Sequence, residues 1–197
     1  MNPTRANTPN AAAESSGVRE RLLDAAYTEV VAGRWPRMRM ADIAAEAGVS
    51  RQTLYNAFGT KEGLLQAVVV READAFLDGV MELLTNHAGD PVQAVSQATH
   101  WTLASSRENP LLRAIITGDE KLLPVLTTRA EPLHVALGER IAAFLRRNWP
   151  ELGERADAVA EVSLRLTLSY VLLPTEAGQA AERVRFAVHS MFTAEAG

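Results

Sequence analysis

Cysteine is absent from the 197-residue chain, which excludes disulfides, thiol nucleophiles and thiolate metal sites. No apolar run approaches the roughly 18 residues of a membrane-spanning helix, and no signal-peptide pattern opens the sequence. The expectation is a soluble, cytoplasmic protein with no membrane partner. Histidine is scarce: His87, His100, His134 and His189 are scattered, and no pair has the i, i+4 spacing that builds a metal site on one helical face. There is no glycine-rich phosphate loop and no nucleophile–base–acid set, so no catalytic residue, cofactor or metal ligand is assigned and no enzyme is expected. Convincing alternation of apolar and polar residues is missing too, which leaves an all-α chain.

The net charge is −4, which argues against non-specific binding to nucleic acid, but it is spread unevenly. Residues 1–61 carry eight Lys/Arg against six Asp/Glu, and the remainder twelve against eighteen. A basic head on an acidic body suits contact with a polyanion at one end only.

The most informative stretch is Met40 to Phe58. Ile43, Ala44 and Ala47 share one side of a short helix, Gly48 supplies a left-handed stop, and Ser50 caps the next helix. In that second helix Leu54, Ala57 and Phe58 face one way, while Arg51, Gln52, Tyr55 and Asn56 take the other. Cationic donors, bidentate amides and a phenol on one exposed face are the chemistry that reads a major groove and grips phosphates. The pair is a helix-turn-helix.

Around it, residues 1–15 are polar, with two prolines and no period, and are expected to form a disordered arm from which Arg5 could reach a minor groove. A first helix runs from Val18 to near Gly33 and braces the two just described; together they form a three-helix head over residues 16–62. The body, 63–197, opens with a long helix capped by Thr60. Asp90-Pro91 and Asn109-Pro110 each start another, with short helices at 110–117 and 120–127. Longer ones cover 130–148, stopped by Trp149-Pro150, then 153–173 and 175–193 on either side of Pro174. Those last two carry apolar residues on two sides, and one core cannot absorb both, which favours a subunit interface over intradomain core alone.

Head and body in this order resemble the TetR/AcrR family of bacterial transcriptional regulators. The resemblance rests on Arg21-Leu22-Leu23-Asp24-Ala25-Ala26, Asp42-Ile43-Ala44, Ala47-Gly48-Val49-Ser50, Thr53-Leu54-Tyr55 with Phe58, and Lys61-Glu62 with Leu64-Leu65. It implies an N-terminal DNA-binding head, a C-terminal bundle for ligand binding and dimerisation, a homodimer through the last two long helices, and ligand-driven loss of operator binding. It places Arg51 and Gln52 at base edges, Thr53, Tyr55 and Lys61 on phosphates, and Asn56 on a base or the backbone. Two recognition helices about 34 Å apart would enter successive major grooves of a pseudo-palindrome of double-stranded DNA. Where many members open the second helix with Ser or Thr, this chain has Met40, so Arg37 or Arg39 would supply the backbone contact.

In the body, His100 and Trp101, beside Thr102 and Ser105, either line a ligand pocket or pack as a buried aromatic with a satisfied histidine. Arg113, within an apolar segment, either pairs with an anionic effector or with a neighbouring acidic side chain. The aliphatic-rich helices point to a small lipophilic effector. An effector-independent DNA binder and an all-α small-molecule enzyme are the alternatives to a ligand-released repressor.

Overall fold

The computed structural model of the chain describes residues 10–87, 89–118 and 120–193. Among them, nine α-helices and three short 3-10 turns form and no strand does. The helices are α1 (Asn10–Val31), α2 (Met40–Glu46), α3 (Arg51–Phe58), α4 (Lys61–Asn86), α5 (Pro91–Ser106), α6 (Pro110–Thr117), α7 (Glu131–Asn148), α8 (Arg155–Leu172) and α9 (Ala177–Thr193). The chain divides into two compact units, one ending at Val68 and one beginning at Val69.

In the first unit the turns follow from glycine. At the end of α1, Gly33 takes φ +70° and the Arg34 N–H reaches back to the Glu29 carbonyl. At the end of α2, Gly48 takes φ +68°, its N–H donates to the Ala45 carbonyl, and the Val49 N–H donates to that of Ala44. This paired pattern closes a helix and fixes the direction of the exit chain. Leu22, Leu23, Ala26 and Val30 of α1, Ile43 and Ala44 of α2, Leu54 of α3, and Leu64 and Val68 of α4 are buried. They make one core from which α3 shows only its inner side.

Two expectations change here. Helix α1 begins at Asn10, inside the stretch expected to be a disordered arm, because Ala11-Ala12-Ala13 has the highest helix propensity of any residue type. The rest of that arm, with Arg5, lies outside the described residues. Residues 120–127 form no α-helix. Only a 3-10 turn over Leu123–Leu126 is present, since Pro124 lacks the N–H that helix propagation needs.

In the second unit, α5 packs along α9, with Leu103 of α5 in one buried cluster with Ala177 and Ala180 of α9. Helix α7 packs along α8 with Leu137 and Leu145 against Val159 and Ala160 among the buried residues. Arg140 of α7 grips α4 twice, at Asp78 (2.6 Å) and at Asp74. These two carboxylates, the Asp78 hydrogen bond foremost, hold the guanidinium pKa above its ordinary value. Glu176 receives the N–H groups of Gly178 (2.9 Å) and Gln179 (2.7 Å) at the start of α9, and those bonds hold its carboxyl below the usual range.

Glu29 is the one buried acid among the described residues of the head, 4% exposed. Arg34 binds it in a fork, Nε to Oε2 at 2.9 Å and Nη2 to Oε1 at 2.5 Å. The Arg34 hydrogen bond holds the Glu29 carboxyl below the usual carboxylate range, against the opposing pull of burial. A depressed folded-state pKa contributes stability that is present above the unfolded value of about 4.3 and lost as pH falls through the folded one. Arg34→Ala should therefore lower the melting temperature by a few degrees at pH 7, with the gap to wild type closing below about pH 4. A gap that stays constant from pH 7 to pH 3 in thermal melts would refute the pairing.

Candidate nucleic-acid interface and ligand cavity

Helix α3 starts where Ser50 stops the turn. Its Oγ accepts the Thr53 N–H at 3.0 Å and lies 2.8 Å from the Thr53 hydroxyl. Leu54 is fully buried, and Phe58 is half-buried beneath the Arg19 guanidinium, 4.7 Å from the ring centre. Ala57, expected on the inner side, is exposed. Arg51, Gln52, Thr53, Tyr55 and Asn56 are all exposed, Tyr55 to 48% despite its large ring. The Gln52 Nε2 donates to the Asn56 Oδ1 at 2.7 Å, one turn along the helix. That bond stiffens both amides and leaves a carbonyl acceptor on Gln52 and amide donors on Asn56 for a base edge.

Arg39 sits just before α2, exposed, and its backbone N–H donates to the Asp42 carboxylate at 3.2 Å. Asp42 thus caps the start of α2, whose N-cap position holds Arg39 and carries no hydroxyl. Arg37 is exposed in the preceding 3-10 turn. Arg21 of α1 belongs to the same head. Its Nε donates to the Ala47 carbonyl at 3.1 Å and holds α1 to the end of α2.

Lys61 departs from its expected place on a phosphate. Its ammonium donates to the carbonyls of Trp35 (2.6 Å) and Met38 (2.7 Å), reaches Pro36 at 3.4 Å, and lies 5.1 Å from the centre of the Trp35 ring. The Trp35 carbonyl also accepts the Met38 N–H at 3.2 Å, and a cation is the natural ligand where several carbonyls converge past the end of a turn.

The second unit contains a half-open cavity of about 170 Å³. Its walls come from α4 to α8 and are almost wholly aliphatic, with Phe76, Leu84, Val95, Leu137, Ile141 and Leu168 among them. Thr99, Thr102, Ser163, Thr167 and His134 are polar exceptions. The inward face of α5 runs through Val95, Thr99, Thr102 and Ser106, at steps of three and four. His100 is out of phase with that face and is exposed. Trp101 stands behind the wall: its ring stacks on Phe76 with centres 4.8 Å apart, and a Cβ at Gly79 would come within 2.8 Å of it. Arg113 is exposed in a separate cleft of about 140 Å³ beside Tyr170, and among the described residues its guanidinium donates to the Arg107 carbonyl at 3.4 Å. His100, Trp101 and Arg113 therefore do not converge on the cavity. Helical phase counted from Val95, a buried position, points to Thr99, Thr102 and Ser106 and away from His100.

The outward sides of α8 and α9 keep large apolar groups in solvent. Phe186 is 72% exposed, and Leu173, just after α8, 76%. Met191 and Phe192 are half-buried near the end of α9, where their carbonyls accept from Arg155 at 3.3 and 3.4 Å.

Comparison with known proteins accounts for this arrangement. A family model described as bacterial regulatory proteins of the tetR family matches residues 22–68, and one described as the C-terminal domain of the bacterial tetracyclin repressor matches residues 90–189. The HTH-type transcriptional regulator AlkX of Mycobacterium tuberculosis (strain ATCC 25618 / H37Rv) is 33% identical over 172 residues, covering 86% of this chain and 82% of that protein. The crystal structure of the TetR family repressor AlkX from Dietzia sp. strain DQ12-45-1b, implicated in biodegradation of n-alkanes, superposes with a TM-score of 0.72. It shares 30% identity and covers 87% of this chain and 96% of its own. The R. erythropolis repressor QsdR shares the fold, with a TM-score of 0.66 at 16% identity over 91% of this chain and 96% of its own. The chain belongs to the TetR family and is a transcriptional regulator of that family.

Proposed function

We propose that this regulator is a homodimeric repressor that leaves a pseudo-palindromic operator when a small lipophilic effector enters its body. The observation that carries the reading is the pairing of an exposed polar face on α3 with a half-open aliphatic cavity in the second unit. Apolar surface without a protein partner inside a packed bundle is what a hydrophobic ligand recognises. The name of one relative ties that protein to n-alkane biodegradation, which fits an effector of hydrocarbon character. In this reading the ligand prefers one conformer of the body, and DNA affinity falls by the difference in its affinity for the two conformers.

Arg51 and Gln52 read base edges, Asn56 supports Gln52, and Thr53, Tyr55 and Arg39 hold phosphates. Lys61 acts from behind, by fixing the 35–38 turn that precedes Arg39. The subunits meet through α8 and α9, whose exposed Phe186 has no function inside one chain. The protein is not an enzyme in this reading.

Selection of bound sites from a random duplex library, with Tyr55→Ala in parallel, should enrich a palindrome that the variant fails to enrich. No enrichment by folded wild type at low salt would overturn the reading of α3. Arg51→Ala should relax preference at one position of each half-site, by about 1–3 kcal/mol. Lys61→Met should lower the melting temperature and weaken binding alike on all sequences, with the salt slope of log K unchanged. A slope flattened by about one per subunit would place Lys61 on a phosphate instead. Phe186→Asp should convert the dimer to a folded monomer in sedimentation; an intact dimer would exclude α9 from the interface.

A further inference from the structure

Helices α4 and α7 both wall the cavity, yet they are joined differently from the rest of the unit. Helix α7 packs closely along α8, and α8 along α5 and α9, whereas among the described residues the α4 and α7 backbones do not pack closely on each other. One side chain spans them. The Arg140 guanidinium reaches from α7 to α4, where Nη1 donates to the Asp74 carbonyl oxygen at 3.1 Å and to the Asp74 carboxylate, and Nη2 donates to Asp78 Oδ1 at 2.6 Å.

This bridge runs along the rim of the cavity. On α7 the inward residues include Leu137 and Ile141, and Arg140 lies about 60° round the helix from Leu137. On α4 they include Ala73, Phe76, Leu77 and Val80, and Asp74 and Asp78 stand one turn apart on the flank beside them. Packing does not seal the wall here, since Ala73, Phe76 and Ile141 are half-buried. The seam therefore has apolar groups beneath and an ion bridge outside. All three charged side chains reach solvent, Asp78 most, at 72% exposed. Charges so exposed exchange each other for water at small cost, so such a bridge opens and recloses readily and salt screens it.

We propose, resting on the reading that the cavity takes a lipophilic effector, that the α4–α7 seam is the route by which the effector enters and that Arg140 is the strap across it. The strap is closed in the empty protein and in the filled one, and open only while a ligand passes. It governs how fast the cavity fills and empties, and contributes little to how tightly a ligand is held.

Binding of 1-octanol and of octane to the full-length protein is measured by calorimetry. Rates are followed by stopped-flow tryptophan fluorescence, to which Trp101 contributes through its stack on the wall residue Phe76. Arg140→Met removes the charge and keeps an unbranched apolar side chain. It should raise association and dissociation rates together, by about fivefold, with Kd within about twofold of wild type. Asp74→Ala combined with Asp78→Ala should act in the same direction, and adding both to Arg140→Met should change nothing further, because the bridge is already gone. Raising the salt should speed filling of wild type more than of Arg140→Met. Melting temperatures confirm that the variants are folded. Unchanged rates in the variants would place entry elsewhere, and a rise in the dissociation rate alone would make Arg140 part of the binding wall. Either result would overturn the inference while leaving the effector reading in place. Failure of both ligands to bind wild type would overturn the effector reading itself, and this inference with it.

Discussion

The left-handed turn at Gly48 sets everything the head can do. Helices of seven and eight residues are too short to be stable alone, so their relative direction has to come from the connection and the core beneath. At φ +68° an L side chain would be strained, and glycine is not. The two backbone bonds that close the turn fix the exit of the chain, Ser50 then starts α3, and Leu54 pins it to the core. Arg21 adds a third hold on the same turn through the Ala47 carbonyl. With three independent restraints on one turn, the outer side of α3 can carry residues chosen wholly for what they touch outside the protein.

Lys61 and Glu29 show how the head uses charge internally. Both lie beside the 34–38 segment, one binding carbonyls and the other binding Arg34. An ion pair between a buried carboxylate and an exposed guanidinium contributes less to stability than to geometry, because desolvation of the acid offsets much of the attraction. What it does is hold a loop with little apolar surface in a single conformation. That loop leads directly to Arg39 and Asp42 at the start of α2, where a helix without a hydroxyl cap borrows the carboxylate of its own third residue.

The sequence was legible wherever local chemistry decided the outcome. Asp90-Pro91, Asn109-Pro110, Gly48 and Ser50 each start or stop a helix at the residue their side chains dictate, and Asp90, Asn109 and Ser50 accept the capping N–H. It was illegible where tertiary packing decided. The helical period predicts that α5 has an inward face but not which face turns to the cavity; the polar pair His100-Trp101 drew attention, while Thr99 and Thr102 lie inward. The Lys61 ammonium could not be placed either, since its carbonyl partners lie 23 to 26 residues away along the chain. Arg113 lines a separate cleft, and the bond it makes among the described residues is to the Arg107 carbonyl, a partner that the local sequence does not mark.

A cavity in the middle of a bundle has to be reconciled with stability. Empty apolar volume costs about 24 cal/mol per Å³, so a space of about 170 Å³ forfeits about 4 kcal/mol of packing. The chain tolerates this because the rest of the second unit is tightly joined, with α5 and α9 closely packed and Arg140 tying α7 to two acids of α4. The hydroxyls of Thr99 and Ser163 can sit in the wall because each is satisfied by its own helix, so a ligand meets mainly their carbon atoms. Filling such a space returns dispersion contacts that the free protein lacks. The amount recoverable exceeds the 1–3 kcal/mol typical of coupling between sites. Occupancy by an apolar molecule can therefore supply enough free energy to shift the body between conformers, provided that one of them holds the cavity open and the other closes it.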